Sequence, residues 1–168
     1  SAMVIEGQAL MQIMGDWAKG EFTNAGLMAG DDFACIPVPK TDAGGFVYLI
    51  NSLSFFTQPD PEQAEAQATL ASSIMDPAVQ MAFNQAKGAI PARTDVDLSV
   101  MDSCAQATAA EFVATDNAGS AVPTFAGTHA ANASVSAAAT DVITGFFNSD
   151  MTPQEAVELL AEAVELAQ

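Results

Sequence analysis

Residues 45–83 read GFVYLINSLSFFTQPDPEQAEAQATLASSIMDPAVQMAF, and the character of the chain changes partway through them. Up to Phe56 the run is apolar, β-branched and aromatic, which suits one or two buried strand segments. From Asp60 onward the pattern is helical. Asp60-Pro61 and Asp76-Pro77 each set an acceptor side chain ahead of a proline, the order of an N-cap and a first helical residue. This predicts helices over residues 61–74 and 77–86.

Upstream, residues 3–11 read as a short amphipathic helix and 11–14 as a buried strand end. A small helix over 18–25 should stop at Gly26 or Gly30. DFACIPVP, 32–39, reads as a strand broken by Pro37 and Pro39, and KTDAGG, 40–45, as a turn. Downstream, Pro91 makes KGAIPARTDV, 87–96, a loop. A helix is expected over 99–114, ending before Asp116-Asn117, and AVPTFAGTHA, 121–130, is expected to be irregular. Val135, Ala138, Ala139, Val142 and Phe146 then share one helical face. Thr152-Pro153-Gln154-Glu155 is a capping box opening a last helix that runs to Ala167. The fold class expected is α/β and largely helical, one domain over residues 1–168. Its few strands lie near the start and are too few for a self-contained sheet, which points to a partner segment.

The chain has 168 residues, with 21 acidic and 4 basic side chains and a formal charge of −17. That balance argues against nucleic acid, whose phosphates require Lys and Arg, and against an anionic membrane surface. No apolar run approaches the roughly 20 residues of a membrane-spanning helix. The start, SAMVIEGQAL, lacks the basic segment of a signal peptide. Two cysteines, Cys35 and Cys104, allow either one disulfide or two buried thiols.

Trp17 is the sole tryptophan, set in MQIMGDWAKGEF at the end of an apolar run. It is either a core or surface tryptophan or a flat platform for a ligand with one apolar face, as a pyranose has. Lys87 and Arg93 bracket the proline loop KGAIPAR. They are either solvated charges or donors to hydroxyls or to a buried partner. His129 is the only histidine and has no clustered ligands to suggest a metal. Asp95, Asp97 and Asp102 lack the glycine and glutamate of an EF-hand loop. Asn132-Ala133-Ser134 matches a glycosylation sequon. No G-x-S-x-G occurs, and no nucleophile constellation supports a hydrolase.

Four stretches in order, GQALMQIMGDWAKGEF, CIPVPKTDAGGFVYLINSLSFF, FNQAKGAIPARTDV and VPTFAGTHA, resemble the C-terminal half of periplasmic sugar-binding proteins of ABC transporters, in the glucose/mannose-type branch. The resemblance implies a lobe of a two-lobe protein that closes around a sugar by a hinge motion. It implies a small-molecule sugar, a membrane permease and the N-terminal lobe of the same protein as partners, and a periplasmic location. It implies neither a cofactor nor an enzymatic activity.

In that family the tryptophan of the GDW motif stacks on sugar, here Trp17. The lysine opening the KG-(S/A)-IPAR loop contacts it, here Lys87. A histidine after the later VP segment completes the set, here His129, although FAGTHA departs from the usual spacing. An acidic residue usually follows the central apolar strand; the matching position is Asn51. An amide offers one acceptor and one donor group where a carboxylate only accepts, so the monosaccharide preference should differ. Asp16 and Arg93 are expected either to touch ligand or to hold their loops. The resemblance also implies a Cys35–Cys104 disulfide. With no N-terminal lobe ahead of GDW, the chain is expected to be a fragment, with a signal peptide upstream. The rival expectation is a self-standing helical interaction module in which Trp17, Lys87 and His129 are structural. In a sugar-binding lobe these residues and Asn51 should line one open surface.

Overall fold

A computed structural model describes residues 1–40, 44–125 and 129–168. In chain order its elements are α1 (Ala2–Ile5), α2 (Lys19–Asn24), β1 (Phe46–Tyr48), α3 (Pro61–Ile74), α4 (Pro77–Lys87), α5 (Ser103–Asn117), β2 (Ala121–Pro123), α6 (Ala133–Phe147) and α7 (Pro153–Ala167). Helix dominates, and the two strands form a small parallel sheet. The chain divides into two compact units, one of Ser1–Gly45 with Ile50–Ser120, the other of Phe46–Leu49 with Ala121–Gln168.

The first unit holds α1 to α5. Helices α3 and α4 begin where the Asp-Pro pairs predicted. Asp60 accepts the Glu62 N–H at 2.9 Å, and Asp76 accepts those of Ala78 and Val79 at 2.8 and 3.2 Å. Each such cap stabilises its helix by about 1 kcal/mol. Gly88, at φ 86°, ends α4 in the left-handed conformation that glycine adopts without strain. Phe22, Ala89, Met101, Cys104, Ala105 and Ala109 form the buried apolar centre. Phe33 lies against Phe22, ring centroids 4.8 Å apart. Cys35 is disulfide-bonded to Cys104, with Cα atoms 5.5 Å apart. Lys40 and Glu111 form an ion pair. The disulfide and the ion pair both fasten the segment after Phe33 to α5.

In the second unit β1 and β2 run parallel, Phe46 opposite Ala121, Val47 opposite Val122 and Tyr48 opposite Pro123. The Thr124 N–H continues the ladder to the Tyr48 carbonyl at 2.8 Å. Helices α6 and α7 pack together as a hairpin. Val135, Ala139 and Val142 are the buried face of α6, with Ala138 and Phe146 half-buried beside them, as the periodicity predicted. The Thr152 and Glu155 side chains satisfy both halves of the capping box at the start of α7. Asn132, the sequon residue, caps α6 by accepting the Val135 N–H at 2.9 Å.

Several local expectations are corrected. The helix expected over 3–11 stops at Ile5, because Gly7 turns left-handed and the Gln8 and Ala9 N–H groups fold back onto the Met3 carbonyl. Residues 11–14 form no strand, and Met11, Ile13 and Met14 are exposed; Ile13 retains 79% of its surface. DFACIPVP is not a strand beyond one isolated bridge at Phe33. Of the apolar run 45–56 only Phe46–Tyr48 is strand, and Ile50, Leu53, Phe55 and Phe56 are exposed. Helix α5 starts at Ser103 rather than 99, because Asp102 is the residue that caps it and Leu98–Val100 is a separate 3₁₀ turn. It also runs on through Asp116 to Asn117. Within the stretch expected to be irregular, Ala121–Pro123 is β2. The expected KTDAGG turn lies partly outside the described residues; its Gly44 and Gly45 have φ of 70° and 131°. Among the described residues no helix is long and apolar enough to cross a membrane.

Candidate functional site

Gly15, Asp16 and Trp17 each have a separate task. Asp16–Ala18 is a single 3₁₀ turn leading into α2. The indole of Trp17 folds back over Gly15 so closely that a Cβ there would sit 2.1 Å from the ring atom Cζ3. With the ring in this position only glycine fits at residue 15. Asp16 Oδ2 accepts the Ile90 N–H at 2.9 Å, across 74 residues of sequence. Trp17 keeps 40% of its surface exposed, so a large aromatic area remains open on a well-braced turn.

The KGAIPAR loop is braced from the same side. A Cβ on Gly20 would come 2.7 Å from the Lys87 carbonyl, and one on Gly88 would come 2.6 Å from the Gly20 nitrogen. Two glycines thus let the first turn of α2 touch the last turn of α4. Gln80 Oε1 accepts the Ala92 N–H at 3.2 Å. Arg93 grips Asp95 through two nitrogens and donates Nη1 to the Met75 carbonyl at 2.9 Å. That grip raises the pKa of Arg93 and lowers that of Asp95, in each case chiefly through the hydrogen bonds between them. Asp16 and Arg93 both hold loop backbone in this structure. Lys87 is half-buried, its ammonium 5.9 Å from the centroid of the Phe83 ring.

The structure therefore brings the Trp17 turn and the Lys87 loop together as one packed block. Asn51 is exposed, and no described contact joins it to Trp17 or Lys87. His129 is exposed and belongs to the second unit; beside it the Ala130 N–H donates to the Thr124 carbonyl at 3.0 Å. The segment between Phe125 and His129, part of the FAGTHA motif, lies outside the described residues.

Sequence reading missed the most buried ion pair of this block. Lys19 is only 5% exposed, and its ammonium donates to both oxygens of Asp102 at 2.9 and 2.8 Å. Asp102 also accepts the Ala105 N–H at 2.9 Å as the cap of α5. Burial raises the pKa of Asp102. The Lys19 and Ala105 bonds outweigh it and hold the carboxyl below its ordinary value. The available signal was a lysine next to the glycine of a helix in a chain with only 4 basic residues. Its partner lies 83 residues away, beyond any local pattern.

No protein-family model matches the chain. Individual relatives do. It is 41% identical over 167 residues to a protein of Brucella suis named "Probable sugar-binding periplasmic protein", covering 99% of this chain and 39% of that protein. A protein of the same name from Rhizobium meliloti is 40% identical over 167 residues, 99% of this chain and 40% of that protein. An uncharacterised ABC transporter extracellular-binding protein of Pyrococcus horikoshii is 34% identical over 101 residues, 60% of this chain and 22% of that protein. The chain thus spans about two-fifths of the length of the relatives it matches along nearly all of itself. The resemblance carried by the GDW, CIPVP and KGAIPAR stretches extends over almost every residue, and the chain is a relative of the periplasmic sugar-binding proteins, matching one portion of them.

Proposed function

We propose that this chain is the C-terminal lobe of a two-lobe periplasmic protein that binds a mono- or oligosaccharide reversibly and delivers it to the membrane permease of an ABC transporter. The observation that carries the proposal is the 41% identity over 99% of the chain to a protein named for sugar binding in the periplasm. In this reading Trp17 offers its open ring to the apolar face of a sugar, and Lys87 supplies a donor to hydroxyls from the neighbouring loop. Asn51 and His129 contribute polar contacts, and Asp16 and Arg93 hold the two loops in place. The role is binding and release, with no covalent step. Support for an oxidising compartment comes from the disulfide between the only two cysteines.

A site shared between two lobes loses more than a proportional share of its affinity when halved, because the cost of immobilising the ligand remains. Calorimetry with a panel of hexoses should therefore show binding by the full-length protein and only millimolar binding, or none, by this chain alone. Micromolar affinity of the chain alone would mean that it holds a complete site. Failure of the full-length protein to bind any hexose or short oligosaccharide would remove the sugar reading.

A further inference from the structure

Lys19 touches three elements at once. Its backbone N–H closes the 3₁₀ turn that carries Trp17, donating to the Asp16 carbonyl. Its stem runs against the start of the Lys87 loop, so that a Cβ on Gly88 would come 3.1 Å from Lys19 Cγ. Its ammonium ends on both oxygens of Asp102, at the start of α5. The far end of this tie is firm. Asp102 caps α5, and the next two residues but one, Cys104 and Ala105, are buried, Cys104 in the disulfide to Cys35. The Trp17 turn packs against the same helix. Trp17 thus stands between two anchors, Asp16 on the Ile90 N–H and Lys19 on Asp102. Lys19 is 5% exposed, so its ammonium is turned into the unit and away from any ligand on the open ring. One of only 4 basic residues in the chain is committed to this buried pair. Such a pair adds little stability over apolar side chains of the same size, and what it supplies is a fixed geometry.

We infer that Lys19 is a positioning residue for the Trp17 platform, acting through its ion pair with Asp102. The consequence for affinity rests on the proposed contact of Trp17 with sugar; the hold on the ring does not. Lys19 never meets the ligand. It fixes the turn against α5 and, through Gly88, against the Lys87 loop, so the open ring and the Lys87 side chain keep one spacing. A binding group held by buried contacts of this kind presents its face without ordering it anew each time ligand arrives.

Fluorine NMR of the full-length protein labelled with fluorotryptophan tests this, the Trp17 resonance being the one that Trp17→Phe removes. Two variants are compared. Lys19→Met keeps the stem against Gly88 and removes the ammonium. Asp102→Asn keeps the α5 cap through its amide oxygen and turns an NH2 group toward the ammonium, so it cannot receive both hydrogen bonds. Circular dichroism identifies which variants fold, and Asp102→Asn decides if Lys19→Met does not. The Trp17 resonance should move in each folded variant while any other tryptophan resonance stays in place. Dissociation constants for glucose, galactose and mannose should rise together by roughly fivefold, less than on loss of the ring itself. In a Trp17→Ala background Asp102→Asn should change them by less than about twofold, because substitutions that act through one ring do not add. An unmoved Trp17 resonance in folded Asp102→Asn would overturn the inference. So would an undiminished loss of affinity in the Trp17→Ala background, which would show that the pair acts elsewhere. A moved resonance in a protein that binds no hexose or short oligosaccharide would keep the positioning role and remove the ligand reading.

Discussion

Replacing both cysteines, Cys35→Ser with Cys104→Ser, should lower the stability of the unit that holds them by roughly 4 kcal/mol, the loop-entropy value for a bridge closing 69 residues. For a chain of this size that corresponds to a fall of roughly 10 °C in Tm. The size of the effect follows from how little else holds the segment after Phe33. Ile36 and Val38 are exposed, and no backbone–backbone hydrogen bond of residues 34–40 is found among the described residues. Besides the disulfide, the Lys40–Glu111 ion pair is what fastens this stretch to α5. A part-exposed ion pair stabilises by no more than about 1 kcal/mol. Cys104 itself is buried in the centre of the unit, so its serine would add a poorly matched hydroxyl there. Urea unfolding followed by the fluorescence of Trp17, the only tryptophan, reports on this unit directly. Unchanged stability on reduction would contradict the role assigned to the bridge.

Asp102→Ala should cost about 3 kcal/mol at neutral pH. Breaking a fully buried ion pair costs about 3–5 kcal/mol. Asp102 keeps 38% of its side-chain surface in water, which brings this down to about 2 kcal/mol by solvent screening. Loss of the α5 cap adds about 1 kcal/mol. Asp102→Asn should cost less, since its amide oxygen still accepts the Ala105 N–H. The pH dependence has a definite sign. The carboxyl of Asp102 is held below its ordinary value in the folded chain, so its contribution is full above the unfolded pKa of about 4. It is lost as pH falls through the lower folded value. The stability gap between the native chain and Asp102→Asn should therefore close in strong acid. Taking the difference between the two proteins removes the general relief of repulsion that acid brings to a chain of formal charge −17. A gap that stays constant down to pH 2 would show that the charge of Asp102 does not matter.

The sequence made some of this plain and hid the rest for identifiable reasons. Signals contained within one turn of helix were read correctly. Asp60-Pro61, Asp76-Pro77 and the Thr152–Glu155 box each set a helix start by contacts two or three residues apart. The apolar face of α6 was legible for the same reason. Readings that depended on distant partners fared differently. Met11–Met14 and Ile50–Phe56 have strand composition, but a strand exists only with a neighbour, and none is present for them among the described residues. β2 escaped notice because three residues ending in proline carry almost no strand signal without Phe46–Tyr48 opposite. The tasks of Gly15, Gly20 and Gly88 are also invisible in sequence. Each is set by a close approach, to the indole or to another backbone, that appears only in three dimensions. At the candidate site, residue types pointed to Trp17 and Lys87, and their packing into one block came from Asp16 and the two glycines. Asn51 and His129 rest on the resemblance.

The most direct measurement is the dissociation constant of the full-length protein for glucose, galactose and mannose, before and after Trp17→Ala. Trp17 keeps 40% of its surface open, with its ring folded against Gly15, and the open part is what a sugar face would cover. Removing it should weaken every accepted sugar together, by roughly tenfold or more, since aromatic contact and buried area act on a ring face rather than on one hydroxyl. The unfolding midpoint of the variant, followed by circular dichroism, shows that the fold is intact. The account predicts a parallel loss across the sugars that bind. Affinities unchanged for all of them in a folded Trp17→Ala protein would make Trp17 a structural residue and contradict the assignment of this surface to sugar.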